Sequence, residues 1–340
     1  VEVLSGGFNF DVINPPNLKI KDNIGTGATG YVSVSGGFRE IRVVDSGFDY
    51  VDQPVINITG GNGQGAVASV NTKLIDHQVS FNAQSPVSVG SINIGFSTFH
   101  KFRNAEPIVY QTNGQTSVGG LSTNSVYFTS IVDTTTINLH LTERDALAGI
   151  NTVQLTSLGV GKHNFKSTGK KSVVESINIV SGGSGYANNK VTTSVSGINT
   201  ALNTITISEH GYNSGEIVNY TTTGTVVGGL SDNTDYFVTK IDSDNFKLST
   251  VGIDTGEKQF FYDTKQFVDL TSVGVGTHIF NYQDIKVSIS GQIGISTIGF
   301  DKSVDEIFGA KLQPIVRGKI KSIHLFDKGQ NYGDSEIINF

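Results

Sequence analysis

One long segment of this chain occurs twice, and that repetition limits the possible folds more than any other feature. HKFRNAEPIVY at 100–110 returns as HGYNSGEIVNY at 210–220, and VGGLSTNSVYF at 118–128 returns as VGGLSDNTDYF at 227–237. VDTTTINL at 132–139 matches IDSDNFKL at 241–248, and LTSLGVGKHNF at 155–165 matches LTSVGVGTHIF at 270–280. The offset moves from 110 to 109 to 115, so the copies differ by small insertions at loops. Self-similarity on this scale marks a chain assembled from supersecondary units that bury their apolar faces against neighbours.

A shorter unit accompanies it: an alternating run, a Gly, and an aromatic three residues later. It reads VLSGGFNF at 3–10, VVDSGFDY at 43–50, IVSGGSGY at 179–186 and LFDKGQNY at 325–332. The aligned glycines are Gly7, Gly47, Gly183 and Gly329, and the aligned aromatics Phe10, Tyr50, Tyr186 and Tyr332. A second alternating run follows each: NLKI at 17–20, PVINI at 54–58, VTTSV at 191–195 and EIINF at 336–340. Gly-rich turns, NIGTGA at 23–28 and GNGQGA at 61–66, then lead the first two copies into a third strand. FGAKLQPIVRGKIKSI at 308–323 precedes the last copy, and its Val316 and Ile323 match Val34 and Ile41 at an offset of 282.

These units divide the chain into two short repeats (1–74), linking strands (75–98), the first long repeat (99–168), a short repeat (169–200), the second long repeat (201–284), and linking strands with a short repeat that breaks off at INF (285–340). The native polypeptide is expected to continue past that point. The chain also starts at Val1 and contains no Met, as expected of a mature or excised piece of something longer.

Period-two alternation of Val, Ile, Thr, Tyr and Phe, bounded by Gly, Asn, Asp and Ser, is the strand-and-turn pattern. Only LTERDALAG at 141–149 and KSVDEIFGA at 302–310 read as helical, the first with Thr142 as its cap and Asp145 three residues on. The expected fold is all-β, with tandem small β-sandwich or β-roll modules built from two kinds of internal repeat and very little helix. Short units of two or three strands cannot stand alone in water and must pack on other units or on another chain.

The chain has no Cys, which excludes disulfides, Cys-ligated metal sites and thiol nucleophiles. With 24 Lys+Arg against 30 Asp+Glu, a net charge of −6 offers no footprint for nucleic acid. No run approaches the length of a membrane span.

Candidate chemistry is sparse. His100/His210 and His163/His278 fall at matched positions; a metal pair within each long unit is one reading, a strand-end hydrogen bond to a turn the other. Metal binding is disfavoured because no further ligand shares the spacing of a zinc site. Glu106 and Glu216 also match, one per unit, whereas paired acid catalysis needs two carboxylates facing one cleft. DSDN at 242–245 faintly resembles a calcium loop but lacks its framework, so no cofactor is expected and a structural calcium ion is the lesser alternative. GTGATG at 25–30 and GNGQGA at 61–66 precede strands, not the helix a nucleotide loop needs. Phe8, Phe48 and Tyr212 sit in turns, where they either plug a module end or stack on sugar rings.

The long unit, with its H-G-Y opening, G-G-L middle and L-T-S-x-G-x-G-x-H-x-F close, resembles a repeat of bacteriophage tail and fibre proteins and of some large bacterial surface proteins. HGYNSGEIVNY fits it well; HKFRNAEPIVY lacks both glycines. The short unit, notably PIVRGKIKSIHLFDKGQNYGDSEIINF, is similar to repeats in virion proteins of large contractile-tailed marine phages, cyanophages in particular. The resemblance implies a non-enzymatic virion protein of the tail, baseplate or fibre. Its implied partners are other copies of itself and other virion proteins, with a host-surface glycan a further candidate. An extracellular filament subunit or a glycan-binding surface adhesin of a bacterium or archaeon is the alternative.

Overall fold

The computed structural model describes residues 3–20, 25–85, 90, 92–250, 267–295, 303–327 and 329–332. The chain enters through β1 (Phe10–Asp11), β2 (Thr29–Asp45), β3 (Val55–Thr59) and β4 (Gln64–Ile75). It then forms β5 (Gln78–Asn82), β6 (Asn93–Gly95), β7 (Pro107–Gln111), β8 (Val126–Ile131), β9 (Thr136–His140), helix α1 (Glu143–Ala148) and β10 (Lys162–Ser167). After β11 (Lys171–Ser184) and β12 (Tyr186–Ala187) come β13 (Lys190–Thr193), β14 (Ile198–Asn199), β15 (Thr204–Thr206) and β16 (Ile217–Thr222). The remaining elements are β17 (Thr234–Lys240), β18 (Asn245–Ser249), β19 (His278–Tyr282), β20 (Lys286–Ser290), α2 (Val304–Phe308) and β21 (Lys311–Asp327). The fold is nearly all β, as the alternation predicts. Among the described residues no helix is long and apolar enough to cross a membrane.

Each long repeat forms one curled antiparallel sheet, ordered β5-β10-β7-β8-β9-β6 in the first module and β13-β19-β16-β17-β18-β15-β14 in the second. Matched residues fill matched places in the two cores. Tyr110, Phe165, Leu139 and Phe102 are buried in the first, and Tyr220, Phe280, Leu248 and Tyr212 in the second. Each such side chain contributes about 1.5–3 kcal/mol by leaving water. The copy-to-copy insertion falls between Ser249 and Phe267, which bridge each other as His140 and Thr152 do around α1 in the first module.

The short repeats are not beads between the modules. Their strands interleave as three antiparallel ribbons: β2 with β21, edged by the short strands β12 and β1, then β4 with β11, and β3 with β20. Ribbons meet where β2 packs on β11, β3 on β4 and β20 on β21, so the three enclose one core like the faces of a prism. Val34, Phe38, Ile320 and Ile323 lie at its centre, with Ile56, Ile58, Ala68, Ile177 and Val287 packed against them. The physical reason is the one that kept a short unit from standing alone: a two-stranded ribbon covers only one side of its apolar face.

The modules are insertions in this prism. The first leaves after β4 and returns at β11; the second leaves after β12 and returns at β20. Two sequence readings therefore change. VTTSV supplies β13, which pairs with β19 inside the second module, while KVSIS in the supposed link at 285–307 supplies β20, the partner of β3. The link at 75–98 supplies β5 and β6, the edges of the first sheet. EIINF at 336–340 lies outside the described residues.

Both short helices form within the two stretches that read as helical. Thr142 accepts the Asp145 N–H at 3.1 Å, and Gly149 closes α1 in the left-handed region at φ 66°. Ser303 and Glu306 form a reciprocal capping box on α2.

Candidate functional site

The short-repeat glycines share one conformation: φ is 59° at Gly7, 60° at Gly47, 62° at Gly183 and 63° at Gly329. Space is as restrictive as torsion, since a Cβ on Gly47 would lie 2.6 Å from the Ala310 nitrogen. The aromatic three residues on closes the turn. The Tyr50 hydroxyl accepts the Ala310 N–H at 2.7 Å, Tyr332 accepts that of Ala28 at 3.4 Å, and Tyr186 accepts that of Ala66. Ala28, Ala66 and Ala310 are themselves matched positions, each beginning the long strand of another short repeat. Each tyrosine thus ties its repeat to another one. Phe10 has no hydroxyl to make such a bond; its ring covers its own Gly7 and packs against the prism core.

A second left-handed residue precedes every one of these aromatics: Asn9 at φ 65°, Asp49 at 67°, Gly185 at 79° and Asn331 at 63°. The sequence reading missed this position. Its signal was there, because Asn, Asp and Gly are the residues that tolerate this region best.

The matched histidines are turn staples. His100 Nε2 faces the Asp133 carbonyl at 2.9 Å and its Nδ1 accepts the Phe102 N–H at 3.0 Å. His210 repeats this with the Asp242 carbonyl at 3.2 Å and the Tyr212 N–H at 3.0 Å. In the first module a relay runs from the Val118 N–H to the Tyr110 hydroxyl (2.9 Å), then to His163 Nδ1 (2.6 Å), while Nε2 faces the Val160 carbonyl (3.1 Å). The second module copies it through Val227, Tyr220, His278 and the Val273 carbonyl. Both ring nitrogens of all four histidines are therefore engaged, and burial pushes each imidazole below its usual range. Among the described residues no group of three or more His, Asp or Glu is placed to hold a metal.

Glu106 and Glu216 both accept a backbone N–H three residues earlier, Arg103 at 2.7 Å and Asn213 at 2.8 Å. Beyond that they differ. Glu216 pairs with the Tyr282 hydroxyl at 2.5 Å. Glu106 receives Lys171 Nζ at 2.7 Å, and Lys171 also reaches Asp49 at 3.3 Å. Arg103 grips Asp49 with two bonds of 2.5 and 2.6 Å. Asp49 is fully buried and Lys171 is only 4% exposed, so two acids and two bases form a neutral cluster between prism and first module. Sequence inspection had no means of pairing residues this distant.

Among the described residues no ion pair joins the second module to the prism. Asn62 donates to the Ile217 carbonyl and accepts the Ile217 N–H, both at 2.9 Å. One imidazole sits at each dock. His77 lies between the Phe48 and Phe102 rings, and His324 lies against Gly211. Burial lowers His77 and pushes His324 down to about 4.

The other candidates resolve individually. Asp242 in DSDN accepts the backbone N–H groups of Asp244 and Asn245 within its own loop. The Gly-rich turns run into β2 and β4, as expected. Phe48 and Tyr212 are buried plugs; Phe8 remains 83% exposed. An open polar groove of about 520 Å³ lies between the second module and β3/β20, lined in part by Asn219, Asp235, Asn281 and Lys286. Compared with family models, with curated proteins and with solved structures, the chain matches none.

Proposed function

We propose that this chain is a non-enzymatic structural protein of a tailed-phage virion, in the tail, baseplate or fibre apparatus. The observation that supports this most is the role of the matched polar residues. In both long modules every matched His, Tyr and Glu holds a turn or a neighbouring strand, so what the repeats preserve between them is architecture. The work of such a protein is mechanical. A prism whose ribbons come from distant parts of the chain resists local opening, and two sheets inserted in it present edge strands to neighbouring subunits. Partners would be further copies of the chain and other virion proteins.

Cryo-electron microscopy of the native source material tests the reading. Density for this fold on a tail, baseplate or fibre is the expected result. Density in free filaments with no capsid would overturn it and make the chain an extracellular filament subunit.

A further inference from the structure

The cluster between prism and first module holds three buried side chains whose chemistry goes beyond ion pairing: an amine on Lys171 and carboxylates on Asp49 and Glu106. Lys171 Nζ lies 2.7 Å from Glu106 Oε2 and 3.3 Å from Asp49 Oδ2, so one amine faces a proton acceptor and a second carboxyl group together. Hydrogen bonds to the backbone fix both acids. Asp49 donates its N–H to the carbonyl of Ser172, next to Lys171, at 2.7 Å, and its own carbonyl accepts the Gly294 N–H at 2.9 Å. Glu106 takes the Arg103 N–H on the same oxygen that meets Lys171. Of the four left-handed residues that precede the repeat aromatics, Asn9, Asp49, Gly185 and Asn331, only Asp49 carries an acid, which the torsion itself does not require. The second module lacks the set. Its Glu216 meets the Tyr282 hydroxyl in place of an amine, and Lys286, which matches Lys171 at the offset of 115 (286 − 171 = 115), is exposed.

We propose that Lys171 and Asp49 join in an intramolecular amide bond, with Glu106 as the catalytic proton carrier. Glu106 takes one proton from the Lys171 ammonium, and the lone pair of the neutral amine attacks Asp49 Cγ. As the Nζ–Cγ bond forms, negative charge gathers on Oδ1 and Oδ2, where Arg103 already donates from Nη2 at 2.6 Å and from Nε at 2.5 Å. Glu106 relays its proton, and then a second one from Nζ, to Oδ2. The Cγ–Oδ2 bond breaks and Oδ2 leaves as water. One proton stays on the amide nitrogen, Glu106 is a carboxylate again, and the step is redox-neutral. Two features of the site favour it. Fixed geometry turns a sluggish encounter of amine and acid into an intramolecular reaction. Burial also makes an ammonium and a carboxylate costly to keep as ions, and the amide removes both charges. The bond spans 122 positions and closes a covalent loop around the whole first long module.

The inference rests on the geometry of this cluster and stands apart from the virion assignment, which a failure here leaves untouched. The test is the intact mass of the purified full chain under denaturing conditions, both fresh and after prolonged incubation at neutral pH. A mass below that of the sequence by one water is the expected result, with digestion releasing a branched peptide that joins the segments around Asp49 and Lys171. Glu106→Gln keeps the size of the side chain but cannot carry the proton. It should form the bond at least ~100-fold more slowly, with an unchanged circular dichroism spectrum. If that variant misfolds, Lys171→Arg, which keeps the cation and loses the amine nucleophile, should hold the full mass of its sequence. A wild-type chain that stays at its full mass at both times overturns the proposal. So does a water loss that digestion maps to any other pair of residues, or that Lys171→Arg retains. Formation of the same bond by Glu106→Gln at the wild-type rate overturns the role given to Glu106.

Discussion

The two long modules carry the same turns, the same buried rings and the same histidine staples, yet they are attached to the prism by opposite means. The first is held by the charged cluster of Asp49, Arg103, Glu106 and Lys171, the second by the uncharged pair of hydrogen bonds between Asn62 and Ile217. They also differ in backbone strain. The turn that the second module makes with Gly211 at φ 72° and Gly215 at 86° is made in the first by Lys101 and Ala105, both at 56°. The turn geometry therefore survives loss of both glycines. Network and hydrophobic burial over-determine the turn, and the left-handed residues carry a cost of about 1–2 kcal/mol each. The lesson is that internal hydrogen bonding defines the module, while docking and surface can diverge freely around it.

Acid should break both docks together, and with the largest effect. An imidazole held below its ordinary value of 6.5 resists protonation when folded, so below 6.5 the unfolded chain takes up protons first. Stability is full above about 6.5 and is lost progressively as pH falls, down to about 4 for His324. Denaturation midpoints measured from about pH 7 to about pH 4 should fall steadily, and a flat profile would contradict the buried neutral histidines. Replacing His324 by Gln should flatten part of that slope.

Removing one member of the charged dock comes next. Lys171→Ala leaves Glu106 buried without its cation and Asp49 with Arg103 alone, and should cost about 3–5 kcal/mol in chemical denaturation. Asn62→Ala at the neutral dock should cost about 1–3 kcal/mol. Equal losses would refute the contrast between the docks. Smaller again, Tyr110→Phe and Tyr220→Phe each strand a backbone N–H and a histidine nitrogen, and the pair should lose stability alike, by about 1–2 kcal/mol. The smallest effect sharpens the strain comparison: Ala105→Gly should stabilise by about 1 kcal/mol and Gly215→Ala should destabilise by a similar amount. Ala105 is the cleaner choice, because Lys101 also lies over the Phe48 ring with Nζ 5.0 Å from its centroid.

Much of this was legible in the sequence for physical reasons. Strand alternation, glycines at left-handed positions and side-chain caps are local, and each acts within a few residues; hence the all-β fold, the shared φ of Gly7, Gly47, Gly183 and Gly329, and the Thr142 cap on α1 all follow from the chain itself. The matched His100 and His210 were recognisable as strand-end residues because they close turns to a backbone amide two positions away.

The tertiary structure alone decided how the repeats combine. Nothing local tells β2 to pair with β21 across most of the chain, or KVSIS rather than VTTSV to complete the ribbon with β3. Alternating runs of similar composition are interchangeable until their burial partners are chosen. The same holds for Asp49 and Lys171, whose exclusion from water is tolerable only because folding delivers Arg103 and Glu106 to the same place. The polar groove is likewise a property of strand register, since Asn219, Asp235 and Asn281 form a row only once three separate strands align. Sequence sets the local torsions and the apolar faces, but which faces meet depends on closing a shared core, and that is a property of the whole chain.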